Sequence, residues 1–164
     1  MRKAQAWSMD FAASVVIFIT ALILVIFALN YTLNQNQQQV SFNIMENAAM
    51  SVSDSLIRQP GIPANWTVAT VTTIGLASQE NILNESKLSE FMNMNDNSIK
   101  GLLGIGNYEF YFEVRYPNGT LATLPGGSQI SKGSYPSGAG IVIPVERHAL
   151  YMEKPARMVF ILWD

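Results

Sequence analysis

The sequence contains no cysteine and a single histidine, His148, among its 164 residues. Without cysteine there is no disulfide scaffold, no thiol nucleophile and no thiolate metal site. One histidine leaves no set from which a His-based metal centre or a proton relay could be built. Charge is scarce as well: Asp, Glu, Lys and Arg together make up 13% of the chain, about half the roughly 25% of ordinary globular proteins. A formal net charge of −2 provides no electrostatic footprint for nucleic acid, which is not expected as a partner. Hydrophobic residues reach 49%, far from the composition of a disordered chain, and the length suits one folded domain. No glycine-rich phosphate loop with its Lys-Ser/Thr occurs, nor a nucleophile elbow. No catalytic, cofactor-binding or metal residue is therefore assigned, and the chain is expected not to be an enzyme. His148 falls in an alternating strand and reads as structural. Glu109 and Glu113 share a strand side and read as a solvated face. Ser128, Ser131, Lys132 and Ser134 read as loop residues rather than a Ser–Lys nucleophile pair.

The shortage of charge is concentrated in one place. Arg2, Lys3 and Asp10 are followed by no charged side chain until Glu46, and residues 11–29, FAASVVIFITALILVIFAL, are apolar but for Ser14 and Thr20. About 20 helical residues rise roughly 30 Å, the thickness of the hydrocarbon core of a bilayer. A secretory signal has a shorter apolar region that ends at a small-residue cleavage site; this run ends in Asn30-Tyr31-Thr32-Leu33-Asn34-Gln35. A retained single membrane span is expected. Basic residues flank it only on the amino side, which places the N-terminus in the cytoplasm and the remainder outside. Ser14, Ala21 and Ala28 recur at seven-residue spacing, a small-residue stripe that lets apolar helices approach closely.

Beyond the span, no Gly or Pro intervenes before Pro60-Gly61, so one helix of ~75 Å from about Ser8 to Arg58 is expected at 1.5 Å per residue, with the Gln/Asn run at 34–39 as its weakest stretch. Val40, Ile44, Ala48 and Val52, with Met45, Ala49 and Leu56 beside them, form the expected apolar face of its second half. TVATVTTIG (67–75) reads as a strand, residues 84–105 as two short helical turns separated by polar residues, and NYEFYFEVRY (107–116) as an alternating strand. Pro117-Asn118-Gly119 reads as a hairpin turn into TLATL. PGGSQISKGSYPSGAG is a loop of about 16 residues, long enough to be mobile or functional. Residues 141–152 and 156–163 read as two strands joined by Glu153-Lys154-Pro155. The expected fold class is α+β: a long N-terminal helix packed on an antiparallel sheet of about four strands.

Lys3-Ala4-Gln5-Ala6-Trp7-Ser8-Met9-Asp10, directly followed by the apolar helix, resembles the class III signal sequence of archaeal type IV pilin-like proteins. The segments around residues 53–91, LLGIGNYEFYFEV and the closing strands ending in Trp163 are similar to the same family. The resemblance implies a pilin-like fold and cleavage by a prepilin peptidase between Ala4 and Gln5. Here Ser8 and Asp10 stand fourth and sixth after that bond, against third and fifth in the usual pattern. It further implies that Asp10 pairs with the N-terminal amine of a neighbouring subunit, which gives a costly buried charge a partner. As an ordinary interfacial acid, Asp10 would instead complement a helix N-terminus. The implied partners are copies of the chain or related pilins in a filament, the prepilin peptidase, the pilus assembly ATPase with its membrane platform, and membrane lipid before assembly. The expected organisation is a leader and processing region at 1–10, a membrane and filament-core helix at 11–31, an amphipathic extracellular helix at 32–59 and a β-rich headgroup at 60–164. Two functions remain open: a major or minor subunit of an archaeal surface filament used in adhesion or surface contact, or an unprocessed single-pass surface protein whose β-domain is a binding module. Four N-x-Ser/Thr sequons, at Asn30, Asn65, Asn84 and Asn118, fit an extracellular domain with N-linked glycans. Asn30 adjoins the span, leaving Asn65, Asn84 and Asn118 as candidates, with Asn118 the best exposed.

Overall fold

The computed structural model describes residues 2–138 and 140–164, with side chains for all of these except 2–8 and 34–38. The fold is α+β, a long N-terminal helix and an antiparallel-rich sheet. The chain divides into two compact units, Met1–Phe42 and Asn43–Asp164. Helix α1 spans Arg2–Arg58, so the Gln/Asn run at 34–39 falls within its bounds. It stops where Pro60 can no longer donate a backbone hydrogen bond. The second unit begins at Asn43 rather than after residue 59, because the last turns of α1 belong to its core.

That core takes up part of the helix face that the spacing suggests. Met45, Ala49, Val52, Leu56 and Ile57 are buried, whereas Ile44 and Val40 are more than half exposed. Positions 45, 49, 52 and 56 repeat at the helical period and all belong to the expected face, whose Val40 and Ile44 stay outside the core. The end of α1 decides this. The carbonyls of Leu56, Ile57 and Gln59 accept from the backbone N–H groups of Leu76 (2.8 Å), Asn81 (3.0 Å) and Ala77 (3.1 Å). These are carbonyls a helix terminus leaves without a partner, and the returning chain can reach them only from one side.

The returning chain forms β1 (Ala77–Gln79) and β2 (Ile82–Leu83), then α2 (Glu85–Asn93) and α3 (Asp96–Leu103). Asn84 and Asn95 cap the two helices by accepting from the backbone N–H of Lys87 and Asn97, as N-cap asparagines do. Next come β3 (Glu109–Arg115), β4 (Ser131–Gly133), β5 (Val142–Tyr151) and β6 (Lys154–Trp163). The six strands lie in the order β1-β2-β5-β6-β3-β4. The pairs are antiparallel except β2 with β5, which run parallel. The sheet is thus mixed and larger than the expected four-stranded antiparallel one.

Several local expectations change for physical reasons. Residues 67–75 form no strand. Thr70 Oγ1 accepts from the Thr67 N–H, and Thr72 Oγ1 donates to the Ile62 carbonyl, so threonine hydroxyls use backbone groups a ladder would need. TLATL makes only isolated bridges at Leu121 and Thr123. The long Gly/Ser loop is partly ordered as β4 and as a tight turn closed by the Gly127 N–H on the Leu124 carbonyl. The β5–β6 hairpin turns at Met152-Glu153, both left-handed, with Lys154 and Pro155 already inside β6.

Two glycines separate space the fold needs from space it leaves free. A Cβ on Gly75 would collide with the backbone of Gln59 and Gly61, whereas on Gly101, inside α3, it would meet nothing within 4 Å. Gly101→Ala should therefore stabilise the protein by about 0.5–1 kcal/mol, from the restricted unfolded chain. Gly75→Ala should destabilise it by about 1–3 kcal/mol through overpacking. Denaturant unfolding of both variants checks the pair; a neutral Gly75→Ala would contradict the close return onto α1.

Candidate functional site

Among the described residues, one helical stretch is long and apolar enough to cross a membrane, the 25 residues Met9–Leu33. Every residue in it is exposed, including Ile17 at 70% and Phe27 at 77%. A helix of a water-soluble domain buries one apolar stripe; this one is apolar all round, the pattern of a helix surrounded by lipid or by other helices. Three of its hydroxyls are satisfied locally. Ser14 Oγ donates to the Asp10 carbonyl at 2.8 Å, Thr20 Oγ1 to Val16 at 2.8 Å and Thr32 Oγ1 to Ala28 at 2.9 Å. Each of these three bonds four residues back, so none of them enters hydrocarbon without an acceptor.

Helical geometry turns sequence spacing into faces. Ser14, Ala21 and Ala28 stay on one stripe, because an α-helix drifts only about 20° per heptad. Asp10 lies one turn before Ser14 on the same side, and both are exposed. The acid and the small-residue stripe are thus brought to one face. The processing residues Ala4 and Gln5 lie outside the residues whose side chains are described.

In the second unit the polar groups of interest have structural partners. Glu113 is not solvated: only 5% exposed, it is held bidentately by Arg115 and accepts from Tyr111 Oη at 2.9 Å. Burial, then the Glu113 hydrogen bond and charge, push the Tyr111 hydroxyl pKa up. Glu109 is exposed and takes Lys100 Nζ at 2.6 Å. Lys132 Nζ binds Asp96 and the Met92 carbonyl, both at 3.1 Å, which leaves it no role as a base for the loop serines. His148 is exposed on β5, opposite Arg157 of β6. A cleft of about 740 Å³ lies between α2 and residues 124–132, bordered by Ser89, Glu90 and Gln129. Among the described residues, no three acidic or histidine side chains gather as metal ligands.

The sequons differ sharply. Asn118 is exposed in a turn, Asn65 is exposed beside the buried Trp66, and Asn84 is half-buried as the cap of α2. No protein-family model, curated protein or solved structure matches the chain.

Sequence reasoning passed over Lys87. It is 7% exposed, and its ammonium donates to the carbonyls of Pro60 at 2.6 Å and Ala77 at 2.9 Å. These carbonyls flank the point where the chain returns to α1. Its position, two residues into α2 after an Asn cap, is the one signal that could have marked it. Burial pushes its pKa below the ordinary 10.5, yet it faces two carbonyls and no open cavity, so it serves as a clasp. Lys87→Met should destabilise the protein by about 1–3 kcal/mol, the range for charged hydrogen bonds left unmade. Between the lowered native value and 10.5 the unfolded chain binds more protons, so this group's contribution to stability rises with pH across that window. The advantage of wild type over Lys87→Met should accordingly widen as pH climbs toward 10.5. Paired unfolding curves at several pH values check this; a pH-independent difference would show that Lys87 is not a buried cation.

Proposed function

We infer that this chain is a structural subunit of an archaeal type IV pilus-like surface filament, serving adhesion or surface contact, with its β-rich unit outside the cell. The observation that carries the reading is the segment Met9–Leu33, apolar on every side and exposed throughout. Such a helix needs lipid before assembly and other helices after it, and its Val, Ile, Leu and Phe side chains suit either surroundings. The preceding Lys3-Ala4-Gln5 and the acid at Asp10 supply what a prepilin peptidase and a neighbouring subunit's amine would recognise. Asp10 sits on the side of the small-residue stripe, where another helix could come close. The self-satisfied hydroxyls of Ser14, Thr20 and Thr32 suit transfer between lipid and a helix bundle, since neither medium need solvate them.

The reading makes two demands on the mature protein. Mass analysis should find it beginning at Gln5; a surface protein that retains residues 1–4 would instead be an anchored binding module. Asp10→Ala should insert into the membrane, because removing a charge beside an apolar helix eases insertion. It should also be processed, yet be absent from filaments. Losing one member of a buried ion pair typically costs about 3–5 kcal/mol, enough to block a cooperative assembly step. Immunolabelled micrographs and membrane fractions from the same cells provide the readout. Asp10→Ala filaments at wild-type levels would overturn the pairing role.

A further inference from the structure

We propose that Asn118 is the N-glycan acceptor of the folded protein, and that the sequons at Asn30, Asn65 and Asn84 are not used. The proposal rests on the extracellular placement above and goes beyond it by choosing one acceptor among four. An N-glycosyl transferase must draw three consecutive residues into its own cleft, with the Asn amide nitrogen presented and the hydroxyl at the third position available. The middle residue therefore needs open space on all sides, and the fold treats the four middle residues very differently.

Tyr31 lies inside α1, so drawing that sequon into a cleft would unwind the helix on both sides of it. Trp66 is 2% exposed with its indole N–H on the Gly75 carbonyl at 2.9 Å, so moving that sequon would pull an aromatic anchor from the core. Glu85 is the first residue of α2, and Asn84 Oδ1 is occupied in capping the helix at the Lys87 N–H. Extending this sequon would unwind the turn that carries buried Lys87 and Leu88. Gly119 is different. It sits at φ +84 with nothing within 4 Å of where a Cβ would stand, and the turn buries no side chain of the sequon; its bonds to the neighbouring chain are the Gly119 N–H on the Tyr116 carbonyl, the Tyr116 N–H on the Thr120 carbonyl and Arg115 Nη1 on the Gly119 carbonyl. Exposed turns of this kind open locally at little free-energy cost.

The Asn118 side chain is also preorganised. Its Oδ1 accepts from the Thr120 backbone N–H at 3.1 Å and from Thr120 Oγ1 at 2.7 Å. Both bonds fall on the amide oxygen, so neither uses the two hydrogens of Nδ2. They also draw electron density toward oxygen, which makes the N–H more acidic. The co-reactant is a saccharide linked through its anomeric carbon to a lipid phosphate. Nδ2 bonds to that carbon, the carbon–oxygen bond to phosphate breaks, the lipid phosphate leaves with the electron pair, and the transferase takes one amide proton.

The test uses the full chain from its native cells. Intact cells are first treated with a membrane-impermeant amine reagent to establish placement, and peptides covering each sequon are then analysed by mass spectrometry. The expected result is labelled protein with a saccharide mass on the Asn118 peptide alone. Asn118→Gln and Thr120→Ala should abolish the whole mass shift, Thr120→Ser should retain it, and Asn65→Gln should leave it unchanged. A labelled protein with a bare Asn118, or one with equal occupancy at Asn65 or Asn84, overturns the proposal and leaves the extracellular reading standing. A protein neither labelled nor glycosylated overturns both.

Discussion

The globular unit depends on how the carboxyl end of α1 is closed. Its last turns bring Leu56 and Ile57 into the core, and a helix end so buried cannot leave its carbonyls to water. The N–H groups of Leu76, Ala77 and Asn81 take that role, with Lys87 clasping the same crossing through Pro60 and Ala77. The cost of orphaned buried polar groups thus dictates where the chain returns, and the return sets the stripe of helix that faces inward. Trp66, bonded to Gly75 and fully packed, fills the loop between departure and return. Among the described residues, no buried side-chain nitrogen or oxygen is left without a partner.

The sheet follows from the same economy. Central strand β6 is buried on both sides: Met158, Phe160 and Leu162 face the helix layer, while Val159 and Ile161 lie on the opposite face at 8% exposure. A near-continuous apolar run is what a doubly covered strand requires. Register sorts that opposite face. Tyr111, Ile161 and Pro144 fall in one row, and Arg115, Arg157 and His148 in another two steps along. Tyr135 packs edge-on against Tyr111 at 5.2 Å, and the indole N–H of Trp163 donates to the Ser134 carbonyl. The charged rows are neutralised internally, by Arg115 on Glu113 and Arg157 on Glu146. A burial that would be costly for Glu113 alone becomes tolerable with three donors on its oxygens.

The two units solve opposite solvation problems. In Asn43–Asp164 apolar side chains are gathered inward and charges paired across elements. In Met9–Leu33 apolar side chains point everywhere, and the hydroxyls of Ser14, Thr20 and Thr32 bond back to their own helix. The same polypeptide therefore needs two media, water for one unit and hydrocarbon or helix for the other. The proposed filament subunit, held in a membrane until assembly, would meet both requirements.

Long, uniform signals were legible without coordinates. The apolar run at 11–29, the helix ending before Pro60, helices α2 and α3, the alternating Tyr108–Val114 strand and the β5–β6 pair all follow from periodicity and from the backbone limits of Pro and Gly. Asp10, Ser14, Ala21 and Ala28 could likewise be placed on one helix from spacing alone. What only the tertiary structure decided are features carried by distant partners. Strands β1, β2 and β4 are two or three residues long, too short for a period, and exist because neighbours complete their hydrogen bonds. The same holds for the parallel β2–β5 pair, the buried Glu113 and the Lys87 clasp. A residue's spacing is written in the chain beside it, but the group that satisfies its hydrogen bonds can be dozens of residues away, and only folding brings the two together.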